Sequence, residues 1–171
     1  MILQKSVKST QLILNEFTSF FDLKPVSNSA FTQARCHLLH TAFIELNKKA
    51  IVAVLYGNEE YKKYKGKFRL TAIDGSKIIL PNEKDIIREF GAISYTNGKD
   101  SEILGSKPQA TASVMYDVLN KIAIDSILGY SKAYEVDLAE EHLSYAGSND
   151  LVLLDRNYTS YRFLSYMRME V

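Results

Sequence analysis

The stretch Asp150-Leu151-Val152-Leu153-Leu154-Asp155-Arg156 limits the fold more than any other part of the chain. Four consecutive apolar residues after a turn predict a short strand covered on both faces, as in parallel sheets. An aspartate and an arginine arrive together at its C-terminal end, and a helical pattern opens soon after. Open α/β sheets put their ligands at such strand ends, so Asp155 is a candidate metal ligand or base. One carboxylate does little hard chemistry alone, so a partner acid has to come from elsewhere in the chain.

The best-placed partner is Asp74. From Phe68 onward, Phe68, Leu70, Ala72 and Asp74 alternate with Arg69, Thr71 and Ile73, and Ile78-Ile79-Leu80 runs to Pro81. This predicts a strand interrupted at Asp74-Gly75-Ser76, where the glycine admits another group close to the backbone. Residues 85–90 read as a turn or two of helix. The polar segment 91–108, with turn chemistry at Asn97-Gly98 and Gly105-Ser106, reads as a long loop. Residues 110–119 and 122–128 predict a hairpin turning at Asn120-Lys121. Residues 134–145 predict a helix stopped by Ala146-Gly147-Ser148, and a last helix opens within 158–169.

Upstream, Leu12, Ile13, Leu14, Phe17, Phe20 and Phe21 recur at helical spacing over 9–23, with Ser9 as N-cap. Lys24-Pro25 breaks this helix. Ser27-Asn28-Ser29 caps a second, with Phe31, Ala34, Leu38, Ala42 and Leu46 on one face, and a third runs over 50–56. Two helices joined tightly are compatible with a DNA-reading pair, with Arg35 among its contacts. A helical appendage packed on the main domain is the alternative. Cys36 and His40 share a helical face, but a zinc site needs more ligands than this region carries. The basic, aromatic run 61–67 reads as a linker, with phosphate contact as its alternative. No phosphate-cradling glycine loop occurs. The division is therefore a helical region, 1–66, and a core, 67–171.

Charge supports that division. Residues 1–66 carry nine Lys/Arg against five Asp/Glu, and residues 67–171 twelve against fifteen. A mildly basic front suits a polyanion and an acidic rear suits metal ions. The single cysteine excludes an intrachain disulfide. No apolar run approaches the ~20 residues that span a bilayer. A soluble, cytoplasmic, nucleoid-associated chain without membrane contact is the expectation.

The order strand with aspartate, two antiparallel strands, helix, strand with aspartate, helix is that of a ribonuclease-H-like α/β fold. Its mixed sheet would here be incomplete and preceded by a small helical domain. In that arrangement the first and fourth strands run parallel and adjacent, bringing Asp74 beside Asp155 although they are 81 positions apart. Carboxylates so close repel unless a divalent cation lies between them, and oxygen-only ligation suits Mg²⁺ or Mn²⁺. Glu135, early in the helix before the last strand, is a candidate third ligand.

Three segments carry a family resemblance: "RLTAIDGSKIILP", "PQATASVMYDVLNKIAIDSILGY" and "HLSYAGSNDLVLLDRNYTSYRFL". In this order they resemble the DDE transposases of the insertion sequence 4 family, over roughly residues 26–171. The resemblance implies Asp74 and Asp155 as the first two catalytic acids. Arg156 and Tyr158 fall in a motif that usually reads Asp-Arg-Gly-Tyr, and Asn157 in place of the glycine tolerates a positive φ. Arg156, Tyr158, Lys107 and Arg35 are the expected DNA contacts. Asp117 and Asp125 also match family positions, Asp117 as a structural partner. The family's third acid, a later glutamate, has no match, so the chain resembles the front part of such an enzyme. The implied activity is metal-dependent DNA cleavage and strand transfer at transposon ends and target DNA, as a homodimer or beside a full-length copy. Two alternatives are a catalytically inactive DNA-binding remnant that inhibits full-length transposase, and a plain metal nuclease that uses Glu135.

Overall fold

The computed structural model describes residues 8–58, 60–96, 103–158 and 160–170. The chain forms two compact units that divide between Leu46 and Asn47. The expected turn at Asn97-Gly98 lies outside the described residues.

The first unit is helical. In α1 (Thr10–Phe20) the Ser9 hydroxyl accepts from the Leu12 N–H, satisfying a donor that the first turn leaves open. The helix stops short of Leu23 because Asp22 turns left-handed (φ 50°) and the Leu23 N–H returns to the Thr18 carbonyl at 2.8 Å. Ser27 caps α2 (Asn28–Cys36) in the same way as Ser9. Gln11 ties the two helices together, donating to the Val26 carbonyl and accepting from the Asn28 N–H. The expected long second helix breaks between Cys36 and Thr41, where α3 (Thr41–Leu46) begins. Cys36, His37, His40 and Thr41 are all weak helix formers. Cys36 and His40 therefore do not share one helical face.

The second unit starts earlier than position 67. A π-helical segment (Asn47–Val52) and α4 (Ala53–Gly57) belong to this unit and are bonded to it by side chains. The Asn47 side chain donates to the Ala123 carbonyl at 3.0 Å, Lys48 to the Tyr145 hydroxyl at 2.7 Å, and Tyr56 to Asp117 at 2.7 Å.

The sheet is built on β1 (Arg69–Ile79), which runs without the interruption expected at Asp74-Gly75-Ser76. After α5 (Lys84–Phe90) come β2 (Ala92–Thr96), β3 (Ile103–Asp117) and β4 (Ile122–Gly129). The segment expected as loop thus contains β2 and the start of β3. Ile93 and Tyr95 pair there with Lys107 and Gly105, and a ladder of backbone bonds tolerates the polar residues between. β3 is antiparallel to β1, with Asp74 opposite Val114, and β4 is antiparallel to β3. The hairpin turns at Lys121 (φ 58°), and the Asp117 carboxylate accepts from the Leu119 and Asn120 N–H groups.

The chain then enters α6 (Glu135–His142), β5 (Asp150–Leu153), a 3₁₀ turn (Arg156–Tyr158) and α7 (Tyr161–Glu170). β5 returns parallel to the far side of β1, with Thr71 opposite Val152 and Ala72 opposite Leu153. The result is a five-stranded mixed sheet ordered β4-β3-β1-β5, with β2 continuing along the other half of β3.

One face of this sheet carries the core: Ile73, Met115 and Ile124 against Val136, Ala139 and Leu143 of the α6 segment, with Tyr158 and Phe163. Each such apolar side chain contributes about 1.5–3 kcal/mol relative to exposure. β5 is not covered on both faces as its apolar run suggests. Leu151 and Leu153 are 41% and 46% exposed, because α6 and α7 cover the other side only. Among the described residues no helix is long and apolar enough to cross a membrane.

Candidate active site

The register of β1 and β5 assembles the site. Continuing the pairs Thr71–Val152 and Ala72–Leu153 by two residues brings Asp74 level with Asp155, just past the end of β5. Asp74 is exposed and its carboxylate accepts from the Gly75 N–H at 2.9 Å. Asp155 is exposed and accepts from both the backbone and the side-chain amide of Asn157. Asn157 therefore organises the turn as a hydrogen-bond donor. The positive φ that its place in the motif suggests does not occur, since Asp22, Lys65 and Lys121 are the described non-glycine residues with positive φ.

Glu135 approaches from the opposite wall. A Cβ built on Gly75 would lie 2.7 Å from the Glu135 Cγ and 2.8 Å from its Cδ, so the glutamate stem crosses β1 directly over the glycine next to Asp74. The bare glycine is what lets the strand run on uninterrupted. α6 holds this position through Val136, Ala139 and Leu143 in the core and through a buried histidine at its end. His142 Nδ1 bonds Asp125 at 2.9 Å, and its Nε2 bonds the Ser113 hydroxyl at 3.1 Å. That clamp reaches both β3 and β4, and it gives Asp125 a structural partner away from the carboxylates. Sequence reasoning passed over His142. Its signal was the pairing of a histidine at a helix end with an acid on an adjoining strand.

Tyr158 is the correction among the expected DNA contacts. It is 2% exposed, with its ring against Phe163 at 6.3 Å, so the aromatic following the arginine belongs to the core. Among the described residues its hydroxyl has no well-formed hydrogen bond, although the Gly75 N–H faces it. Its ionisation is pushed up to about 12, first by burial and then by the charges of Glu135, Asp74 and Asp155.

The remaining candidates are scattered. Arg156 is exposed next to Asp155, in the 3₁₀ turn. Lys107 is exposed, with its ammonium over the Tyr95 ring. It lies seven positions along β3 from the partner of Asp74 (107 against 114), at most about 24 Å at 3.4 Å per residue. Arg35 is exposed in the last turn of α2, in the other unit. Asp117 is fully buried, bonded by Tyr56 and its own turn, and is structural as expected.

The donors gathered here are carboxylate oxygens, the kind that Mg²⁺ and Mn²⁺ take. In donor chemistry the residues fit such an ion. Among the described residues, however, no three His, Cys, Asp or Glu side chains converge as one ligand set. The chain matches no family model, no curated protein and no solved structure.

Proposed function

We propose that the chain carries the carboxylate centre of a DDE-type transposase resembling the insertion sequence 4 family, on a ribonuclease-H-like sheet. The observation that carries this reading is the parallel pairing of β1 with β5 up to Ala72–Leu153, a register that would bring Asp74 level with Asp155 if continued two residues further. The strand order β4-β3-β1-β5, with β1 and β5 parallel and the others antiparallel, supports it.

Asp74 and Asp155 are the residues that would hold Mg²⁺ or Mn²⁺, with Glu135 beside them. The chemistry such an ion supplies is activation of an attacking oxygen and neutralisation of charge on the phosphodiester. The chain's own residues do the rest. Tyr158, buried and with its ionisation raised, stays protonated at neutral pH and adds no charge of its own to the site. Asn157 fixes Asp155 in one rotamer through two hydrogen bonds. Arg156, exposed at the same turn, suits a backbone phosphate of DNA at a transposon end or target. A plain metal-dependent nuclease is the second reading, favoured by the Glu135 stem lying over Gly75.

Calorimetric titration with Mn²⁺, on the wild type and on the Asp74→Ala, Asp155→Ala double variant, tests the site. Binding lost in the double variant supports it. A folded wild type that binds no ion removes the enzymatic reading and leaves a DNA-binding remnant. Cleavage of element-end duplex against unrelated duplex then separates transposase from nuclease.

A further inference from the structure

Lys77 lies on β1 on the same face as Gly75, two residues further along the strand. Its ammonium donates to the Thr111 hydroxyl at 2.6 Å and to the Ser131 carbonyl at 3.2 Å. Thr111 is itself fully buried and donates to the Tyr130 carbonyl at 3.1 Å. Two of the three ammonium donors are thus committed to fixed partners, and the third is left over. Among the described residues Lys77 has no carboxylate partner, yet the residue stays exposed. A lysine so placed has already lost most of its rotamer freedom, a cost a ligand then does not meet on binding.

The ammonium opens onto a cavity of about 390 Å³ lined by Lys77, Ala133, Tyr134, Glu135 and Asn157. α6 starts at this wall. Its first turn carries two acids, Glu135 and Asp137, which take up the positive end of the helix dipole, so the positive charge at the cavity is that of Lys77. The cavity therefore has a cationic end at Lys77 and an anionic end at Glu135, with Asn157 tying it to the Asp155 turn. A ligand carrying negative charge on one side only, next to a group that the carboxylates hold, matches that polarity.

We propose that Lys77 grips a backbone phosphate of nucleic acid in the cavity that it shares with Glu135 and Asn157. The assignment rests on the nucleic-acid reading above and adds to it a positioning residue. Thr111 and Ser131 set where the ammonium points, and the phosphate is thereby fixed at the cavity that Glu135 also lines.

The test is fluorescence anisotropy with a labelled duplex oligonucleotide across a range of NaCl concentrations, on wild type, Lys77→Ala, Lys77→Arg and Thr111→Val. Thermal melts confirm that each variant folds. Losing one phosphate contact is expected to weaken binding about tenfold near 0.1 M salt and to lower the slope of log K against log salt by about 0.9. Lys77→Arg restores the slope, because the charge returns. Thr111→Val keeps the charge but frees the ammonium, and weakens binding about two- to threefold with the slope unchanged. Lys77→Ala binding like the wild type, with the same slope, overturns the pocket while leaving the Mn²⁺ test of the carboxylates intact. Thr111→Val indistinguishable from wild type overturns the positioning role. A wild type that binds no duplex overturns the pocket together with the nucleic-acid reading.

Discussion

Gly75→Ala separates the carboxylate arrangement from the stability of the sheet. The added methyl would lie 2.7 Å from the Glu135 Cγ and 2.8 Å from its Cδ, closer than packed atoms tolerate. Something has to move, and the flexible glutamate side chain moves more easily than the strand. A glycine within a strand is worth about 0.5–1 kcal/mol less than alanine, and Gly75 has no positive φ to protect. Driving Glu135 off its rotamer costs about 0.5–1.5 kcal/mol. The two nearly cancel, so the midpoint of urea unfolding is expected to change by less than about 1 kcal/mol in free energy. If Glu135 contributes to the proposed ion site, Mn²⁺ affinity measured by calorimetry is expected to fall about tenfold, or about 1.4 kcal/mol, as its carboxylate is displaced. A loss of stability above about 3 kcal/mol would mean that the strand itself is strained, which refutes the reasoning about Glu135. Unchanged affinity in a stable variant would remove Glu135 from the site.

Two further expectations concern buried polar groups. His142→Ala leaves Asp125 and Ser113 without their partner and opens a cavity under α6, so it should cost about 3 kcal/mol in urea unfolding, and His142→Gln should cost less. Tyr158 has its ionisation raised from 10.0 to about 12, so the folded state favours the protonated phenol; that contribution is complete below pH 10 and is lost as pH rises towards 12. Tyr158→Phe should therefore flatten the fall in stability above pH 10, with Tyr56→Phe as a comparison because Tyr56 is also raised, by burial and then by Asp117. An unchanged alkaline slope in Tyr158→Phe would count against the buried hydroxyl among three charges.

Local chemistry made part of this architecture readable. Ser9 and Ser27 announce helix starts because a hydroxyl is what the first turn lacks, and both accept from the N–H three residues on. The hairpin over β3 and β4 was legible from two apolar runs about a short polar turn. The run into Asp155 was legible as a strand, but its apolar side chains do not say which face is covered, and Leu151 and Leu153 face outward. What stayed hidden depends on distant partners. Ile93 and Tyr95 look like loop until β3 pairs with them. Asn47 and Tyr56 look like part of the head until Ala123 and Asp117 claim them. Within the site, the parallel neighbours that carry Asp74 and lead into Asp155 were readable, whereas Tyr158 read as a surface aromatic because a motif does not reveal burial. Lys77 resembles any strand lysine until Thr111 fixes it.

The parallel pairing of β1 with β5 also orders events as the chain folds. Arg69 bonds Asp150 through Nε at 2.8 Å and through a second, shorter contact, and it donates to the Tyr145 carbonyl at 2.7 Å, joining positions 81 residues apart. Closing a loop of that length costs about 4 kcal/mol of chain entropy, whereas β3 and β4 meet across a turn of a few residues. The hairpin can therefore form early, and β5 docks on β1 late. Until it docks, the segment that carries Asp155 has no fixed place beside the strand that carries Asp74. The Arg69–Asp150 pair latches that final step, so a variant lacking the arginine should slow the appearance of ion binding during refolding more than it slows formation of the hairpin.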